Sequence, residues 1–326
     1  MNSQHTVHLI NTLWDATGGS ERRTLDLYRE LKRHCEVLLW STHAPDPHLA
    51  TAYPIKRIAP EQAHPADGTI VFVGVYFNFH ADWLRLARPR RVIVIYNTDS
   101  PGRLEYIVNG LMHCGVGTVE IVFASEWLKQ SVAVAGTVQA SLIDIDAFVP
   151  AARSDAPVPA FTIGRLSRDV AEKHHSGDAQ MYQRLAQTGC RVSVMGGTCL
   201  SQALRGVAEI ELLPAGALPA QLFLQGLDCF FYRTSLGWRE PWGRVVTEAM
   251  ACGLPVVCHS SGGYSEFIEH GQNGFLFDSD EQAFQIIMRL MQDGSLRDAI
   301  GKAARLCMER MFSLAARQAV VDYYLQ

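Results

Sequence analysis

The chain has 326 residues, 48% of them hydrophobic, and a formal net charge of −4 at pH 7. That length provides for about two domains with sizeable cores. The slight acidic balance argues against a general nucleic-acid binder, which carries a basic face, and no apolar run approaches the ~20 residues of a membrane-spanning helix.

The N-terminal stretch MNSQHTVHLINTL has no basic segment leading into an apolar one. It is read as having no signal peptide, and a cytoplasmic location is expected. β-rich runs at 6–10, 36–40, 70–73, 92–96 and 121–124 then alternate with helical stretches at 20–33, 79–87 and 126–135. This alternation predicts an α/β fold with helices on the faces of parallel sheets. After the first strand, Gly18 and Gly19 let a ligand approach the backbone, and Ser20 is a candidate N-cap. His80 follows the third strand. Asn97 and Asp99 end the fourth, and Asp99 is a candidate partner for an acceptor hydroxyl. The segment Trp83–Arg91 interleaves bulky apolar and basic residues, a pattern that suits peripheral contact with an anionic inner-membrane face. The Pro/Ala-rich stretch 149–159 marks a domain boundary, placed after residue 150.

Alternation resumes with strands at 161–163, 191–195, 209–213, 228–232 and 255–258, then helices at about 279–293, 295–311 and 313–324. The strand ending at Gly164 delivers Arg165 to its carboxyl end, where open α/β sheets take their ligands. Arg165 offers a planar fork for phosphate oxygens and Lys173 a compact charge. Gly196 ends the next strand, and its glycine pair places it near a donor's phosphates or base. The eight cysteines include no C-x-x-C pair. They are read as free thiols, and no zinc site is expected.

The run REPWGRVVTEAMACGLPVV, residues 239–257, reads as loop, helix, turn and strand. Pro241 and Gly243 open the helix, and Gly253 and Pro255 end it. Free amides and the positive end of the helix dipole then face the space before Trp242 and Gly243, an anion site. Glu240 and Glu248, with seven residues between them, flank it at different depths. A phosphate between two hydroxyl-binding carboxylates suits a nucleotide-sugar.

This run resembles the EPFG…EAMACGxPVV signature of glycosyltransferase family 4, with Trp242 in place of the usual Phe. The resemblance implies two Rossmann-like domains facing across a cleft, the B-type glycosyltransferase fold. Residues 1–150 would form an acceptor-side domain and 151–311 a nucleotide-sugar donor domain, with a terminal helix at 312–326 crossing back to the first. It implies a retaining hexosyl-type transferase acting on a nucleoside-diphosphate sugar and a saccharide, lipid-linked or other hydroxyl acceptor. The setting would be surface polysaccharide or glycoconjugate synthesis. Glu240, Arg165 and Lys173 would act in catalysis. Glu248, Trp242, Gly243, Arg244, Gly18, Gly19 and Gly196 would bind the donor, with Glu248 on the ribose. Asp99, Asn97 and His80 would meet the acceptor, with Asn97 standing where many relatives carry histidine. No metal or other cofactor is expected. Two alternatives stay open: a noncatalytic nucleotide-sugar-binding subunit, and an epimerase or phosphorylase of the same fold.

Overall fold

A computed structural model describes residues 5–59, 61–76, 82–151 and 160–326. The first elements are β1 (Thr6–Asn11), α1 (Gly19–Leu31), β2 (Glu36–Ser41), α2 (Pro47–Ala52), β3 (Ile55–Arg57) and β4 (Thr69–Val73). They continue as α3 (Asp82–Ala87), β5 (Arg91–Tyr96), α4 (Pro101–His113), β6 (Val119–Phe123), α5 (Glu126–Gln130) and β7 (Thr137–Val138). The second series runs β8 (Thr162–Leu166), α6 (Asp178–Ala186), β9 (Arg191–Met195), β10 (Ile210–Leu213), α7 (Ala220–Gln225), β11 (Cys229–Tyr232), α8 (Arg244–Ala251), β12 (Val256–His259) and β13 (Phe275–Phe277). It closes with α9 (Asp280–Gln292), α10 (Gly294–Met311) and α11 (Leu314–Leu325).

The chain divides into two compact units, Met1–Leu142 with Leu314–Gln326, and Ile143–Ser313. The first cut thus falls before the Pro/Ala stretch, most of which (152–159) lies outside the described residues. The segment just after the cut is tied to the second unit by Arg305 of α10. Its guanidinium donates to the carbonyls of Ile145 at 3.2 Å, of Ala251 at 2.8 Å, and of Phe148.

In the first unit the sheet order is β3-β2-β1-β4-β5-β6-β7, all parallel. Every residue of β4 is buried, as is β5 beyond Arg91. Continuous apolar strands of this kind are what a parallel sheet covered on both faces requires. Helix α11 packs within this unit. Arg317 meets Glu30 at 2.9 Å, the Tyr324 hydroxyl donates to Gln139 at 2.9 Å, and Val321 and Tyr324 are fully buried.

In the second unit the order is β10-β9-β8-β11-β12-β13, again all parallel. One core cluster joins Ile163, Val192 and Phe231 of the sheet to Tyr182 and Leu185 of α6 and Ile287 and Leu290 of α9. Strand order reverses between β8 and β11, and the crevice outside the carboxyl ends of strands at such a reversal is where doubly wound sheets take ligands. Arg165 lies at the end of β8, and Arg233 directly follows β11.

Candidate active site

The buried floor of the site is an ionic network. Arg165 and Asp178 are both 0% exposed, and one Arg165 Nη1–H reaches Asp178 Oδ2 at 3.3 Å. Arg165 also donates to the carbonyl of Arg233 at 2.7 Å and to that of Lys173, and it lies 4.7 Å from the Tyr232 ring. Arg233 Nε donates to the other oxygen of Asp178 at 2.6 Å. Asp178, in the first turn of α6, therefore carries two guanidinium groups. The His175 amide donates to it as well, at 3.0 Å. Arg165 is thus not a direct phosphate ligand, as the sequence reading had it. Its fork is spent on Asp178 and two carbonyls, and no surface remains for substrate. It fixes the backbone of Lys173 instead.

Lys173 and Glu240 are brought together. Lys173 Nζ lies 2.6 Å from Glu240 Oε2, and the Tyr232 hydroxyl donates to the same oxygen at 2.9 Å. The lysine also lies 4.9 Å from the Trp238 ring. Burial pushes the Glu240 carboxyl up, but the charge and hydrogen bond of Lys173, with Tyr232, carry it below the usual carboxylate range. Glu240 Oε1 takes no hydrogen bond from the described residues, so one carboxylate oxygen is left for a ligand hydroxyl. Arg168 is exposed and adds positive potential at Glu240.

Glu240 is held from behind, where the Gly263 amide donates to its carbonyl at 2.8 Å. Two residues on, Trp242 packs against Phe267 at 4.9 Å, and its indole N–H is buried without a partner. Gly243 is the N-cap of α8 with φ +85°, and a Cβ there would stand 2.6 Å from the Tyr264 ring. Only glycine fits both constraints, so no side chain caps α8, the kind of helix start that favours an anion. Arg244 Nε donates to Glu248 Oε1 at 2.8 Å one turn further along, and Glu248 is 6% exposed. The helical spacing predicts this pairing.

Gly196 plays a structural part. Its φ is +82°, and a Cβ would meet the Ser167 carbonyl oxygen at 1.9 Å. Its own carbonyl accepts from His174 Nε2 at 2.8 Å, next to Lys173. The amides just beyond it are taken up by Asp169, whose carboxylate accepts from Thr198 N at 3.2 Å and Cys199 N at 2.9 Å. The sequence reading placed Gly196 near a donor's phosphates or base; the amides of Thr198 and Cys199 beside it are bound by Asp169. Two Asp-x-Asp pairs also occur in the chain, at 144/146 and 278/280. Asp280 is paired with Arg233, and Asp278 accepts from Ser260.

In the first unit the candidates gather at the carboxyl ends of β1, β4 and β5. Gly18 is the N-cap of α1, so Ser20 is not. The Ser20 hydroxyl instead accepts from Asn11 at 2.9 Å and Asn97 at 3.3 Å. A Cβ on Gly19 would meet nothing within 4 Å. Asp99 is exposed, and His80 lies outside the described residues. In the basic and apolar segment, Arg85, Leu86, Arg88 and Arg90 are exposed. Trp83 and Leu84 are buried, Trp83 against Phe72 and His64, which leaves Leu86 as the exposed large apolar side chain there. No helix among the described residues is long and apolar enough to cross a membrane.

Residues 199–306 match the sequence model of glycosyl transferases group 1. Two relatives match part of the chain. The lipopolysaccharide core biosynthesis glycosyltransferase LpsE of Rhizobium meliloti is 35% identical over 106 residues, 32% of this chain and 29% of LpsE. Spore coat protein SA of Bacillus subtilis is 38% identical over 78 residues, 23% of this chain and 21% of that protein. The chain thus matches less than a third of the length of either. Fold likeness extends much further. Anabaena HepE, solved in complex with UDP-glucose, superposes with a TM-score of 0.76 at 18% identity, covering 98% of this chain and 99% of HepE.

Over residues 199–306 the chain is similar to the group 1 glycosyl transferases.

Its fold is the B-type glycosyltransferase fold. The group 1 match includes Glu240, Trp242, Gly243 and Glu248, whereas Arg165, Lys173 and Asp178 lie before it. The parts of this site that sequence reasoning missed are Asp178, Tyr232, Arg233 and Trp238. Two signals were available: Arg233 directly follows a strand at the sheet's reversal point, and Asp178 opens a helix.

Proposed function

We propose that the chain is a retaining glycosyltransferase that moves a sugar from a nucleoside-diphosphate sugar to an acceptor hydroxyl. The observation that carries this reading is the Lys173–Glu240 pair, with Glu240 in the segment that leads into α8, whose N-cap Gly243 offers no side chain. The second unit would take the donor and the first the acceptor.

The bond between the anomeric carbon and the diphosphate breaks while the acceptor oxygen attaches on the same face. The departing phosphate accepts the acceptor's proton. Charge grows on the diphosphate as it leaves, and Lys173, Arg168 and the α8 amides stabilise it. Glu240 keeps its charge and offers Oε1 to a sugar hydroxyl, while Glu248, oriented by Arg244, holds the ribose diol. Arg165 acts through Lys173 by fixing its backbone. No metal is required in this scheme, because cationic side chains and backbone donors meet the leaving group.

HepE is described in complex with UDP-glucose, which makes uridine the first base to try. Calorimetric titration with UDP-, GDP- and ADP-sugars tests donor binding, and product analysis with acceptor alcohols tests transfer. Saturable binding of one nucleotide-sugar, weakened in Glu240→Gln, is the expected result. The donor reading fails if none of them binds. Binding without turnover on any acceptor would instead favour a noncatalytic subunit.

A further inference from the structure

Outside the donor site, Arg103 stands without a counter-ion among the described residues. Arg103 lies in the first turn of α4, with its guanidinium 5.5 Å from the Tyr76 ring and 5.7 Å from the Tyr106 ring. Its Nε is buried without a hydrogen-bond partner. Among the described residues it forms no ion pair, although Asp99 and Glu105 are near it in sequence. The tyrosines are 47% and 49% exposed, unusual for side chains that otherwise fill cores. Tyr76 follows β4, and Arg103 follows β5, so the cluster sits at the carboxyl edge of the first unit's sheet, the ligand edge of such sheets.

The geometry points to an anion. Arginine's N–H donors lie in the plane of the guanidinium. With two rings near it and Nε buried, the guanidinium keeps its Nη donors for two-point contact with a carboxylate or phosphate. Neighbouring apolar surface lowers the local dielectric and strengthens that contact. The start of α4 adds its dipole in the same sense, since the Ser100 side chain does not cap it. The half-exposed tyrosine rings provide apolar faces with a hydroxyl at the tip, suited to the C–H face and hydroxyls of a sugar ring.

We propose that Tyr76, Arg103 and Tyr106 form a binding site for an acceptor saccharide carrying a negative charge beside a sugar ring. This rests on the transferase reading and names the acceptor's chemical class. A carboxylated sugar and a phosphorylated one share the chemistry that Arg103 recognises.

The test uses the full chain, with UDP at saturation so that donor-site binding of the probes is blocked. Glucuronic acid, glucose 6-phosphate and glucose are titrated by saturation-transfer NMR against wild type, Arg103→Gln, Arg103→Lys and the double variant Tyr76→Ala/Tyr106→Ala. The anionic sugars should bind well above glucose. Arg103→Gln should weaken them about tenfold or more. Arg103→Lys should restore only part of this because the planar fork is lost, and the double tyrosine variant should weaken all sugars. Preference for glucuronic acid assigns the charge to a carboxylate; preference for glucose 6-phosphate assigns it to a phosphate; equal binding of both supports the shared anion. Glucose binding as well as the charged sugars, or no change in Arg103→Gln, overturns the proposal. So does inorganic phosphate competing as well as the sugar phosphate, since no saccharide is then recognised. A separate titration with UDP-, GDP- and ADP-sugars keeps the two readings apart: absent binding of all three with Arg103-dependent sugar binding would remove the donor reading and leave this site standing.

Discussion

Lys173 Nζ and Glu240 Oε2 are 2.6 Å apart, although the residues are separated by 67 positions in sequence. The pair links the segment after β8 to the segment before α8. It also sets a pH dependence. The Glu240 carboxyl is held below its ordinary value of 4.5, so the folded state binds its proton less readily than the unfolded chain does. The stability it contributes is present above that ordinary value and is lost as pH falls through the depressed folded one. Thermal unfolding between pH 6 and pH 3 should therefore show an acid-side loss that Glu240→Gln reduces. Parallel curves for the two proteins would dismiss this contribution.

Arg165 should behave as a structural residue with a catalytic consequence. Removing one partner of a buried ion pair costs about 3–5 kcal/mol, because the remaining charge is stranded. Arg165→Ala leaves Asp178 with Arg233 as its remaining guanidinium partner and frees the Lys173 carbonyl. Urea unfolding should show a loss on that order. Arg165→Lys should recover little of it, since one ammonium cannot serve a carboxylate and two carbonyls in the same geometry. Wild-type stability in Arg165→Ala would show that the network contributes nothing.

Much of the fold was legible because its signals are local. Alternating strands and helices are read within a window of a few residues, and Glu240, Trp242, Gly243 and Glu248 share one contiguous run. The network behind them was not. Arg233 and Asp178 meet across 55 positions, and nothing local marks either as a partner for the other. Arg165 was misjudged for the same reason: its place at a strand end is visible in sequence, but its complete burial is not. Trp83 looked like part of a surface because basic residues surround it, yet β4 and the 64 region cover it. Helix α4 begins Pro-Gly, which reads as a break, although proline at the first helical position is well tolerated.

Gly19 separates a functional requirement from a structural one. Its Cβ position is open, and alanine favours a helix over glycine by about 0.8–1 kcal/mol. Gly19→Ala should leave melting unchanged or slightly raised. Transfer should nonetheless fall if the backbone at the start of α1 must approach substrate closely. Unaltered kinetics would remove this loop from the site.

Transfer should survive thorough chelation with EDTA, because the proposed scheme gives the leaving group to Lys173, Arg168 and helix amides. Magnesium reaches phosphates through one or two carboxylates, and any such requirement would appear as activity lost on chelation and restored by magnesium or manganese. That outcome would move the leaving-group chemistry to other groups.

Asp178 has a consequence beyond holding two side chains in place. Arg165 and Arg233 bring two positive charges to it, and the second acid on Arg233, Asp280, is 51% exposed. The reversal point of the sheet thus encloses two guanidinium charges, balanced by buried Asp178 and half-exposed Asp280. Mobile salt weakens exposed charge pairs much more than enclosed ones. The stability that Arg165→Ala removes should therefore change little as potassium chloride is raised, unlike that of an exposed pair such as Arg184–Glu281.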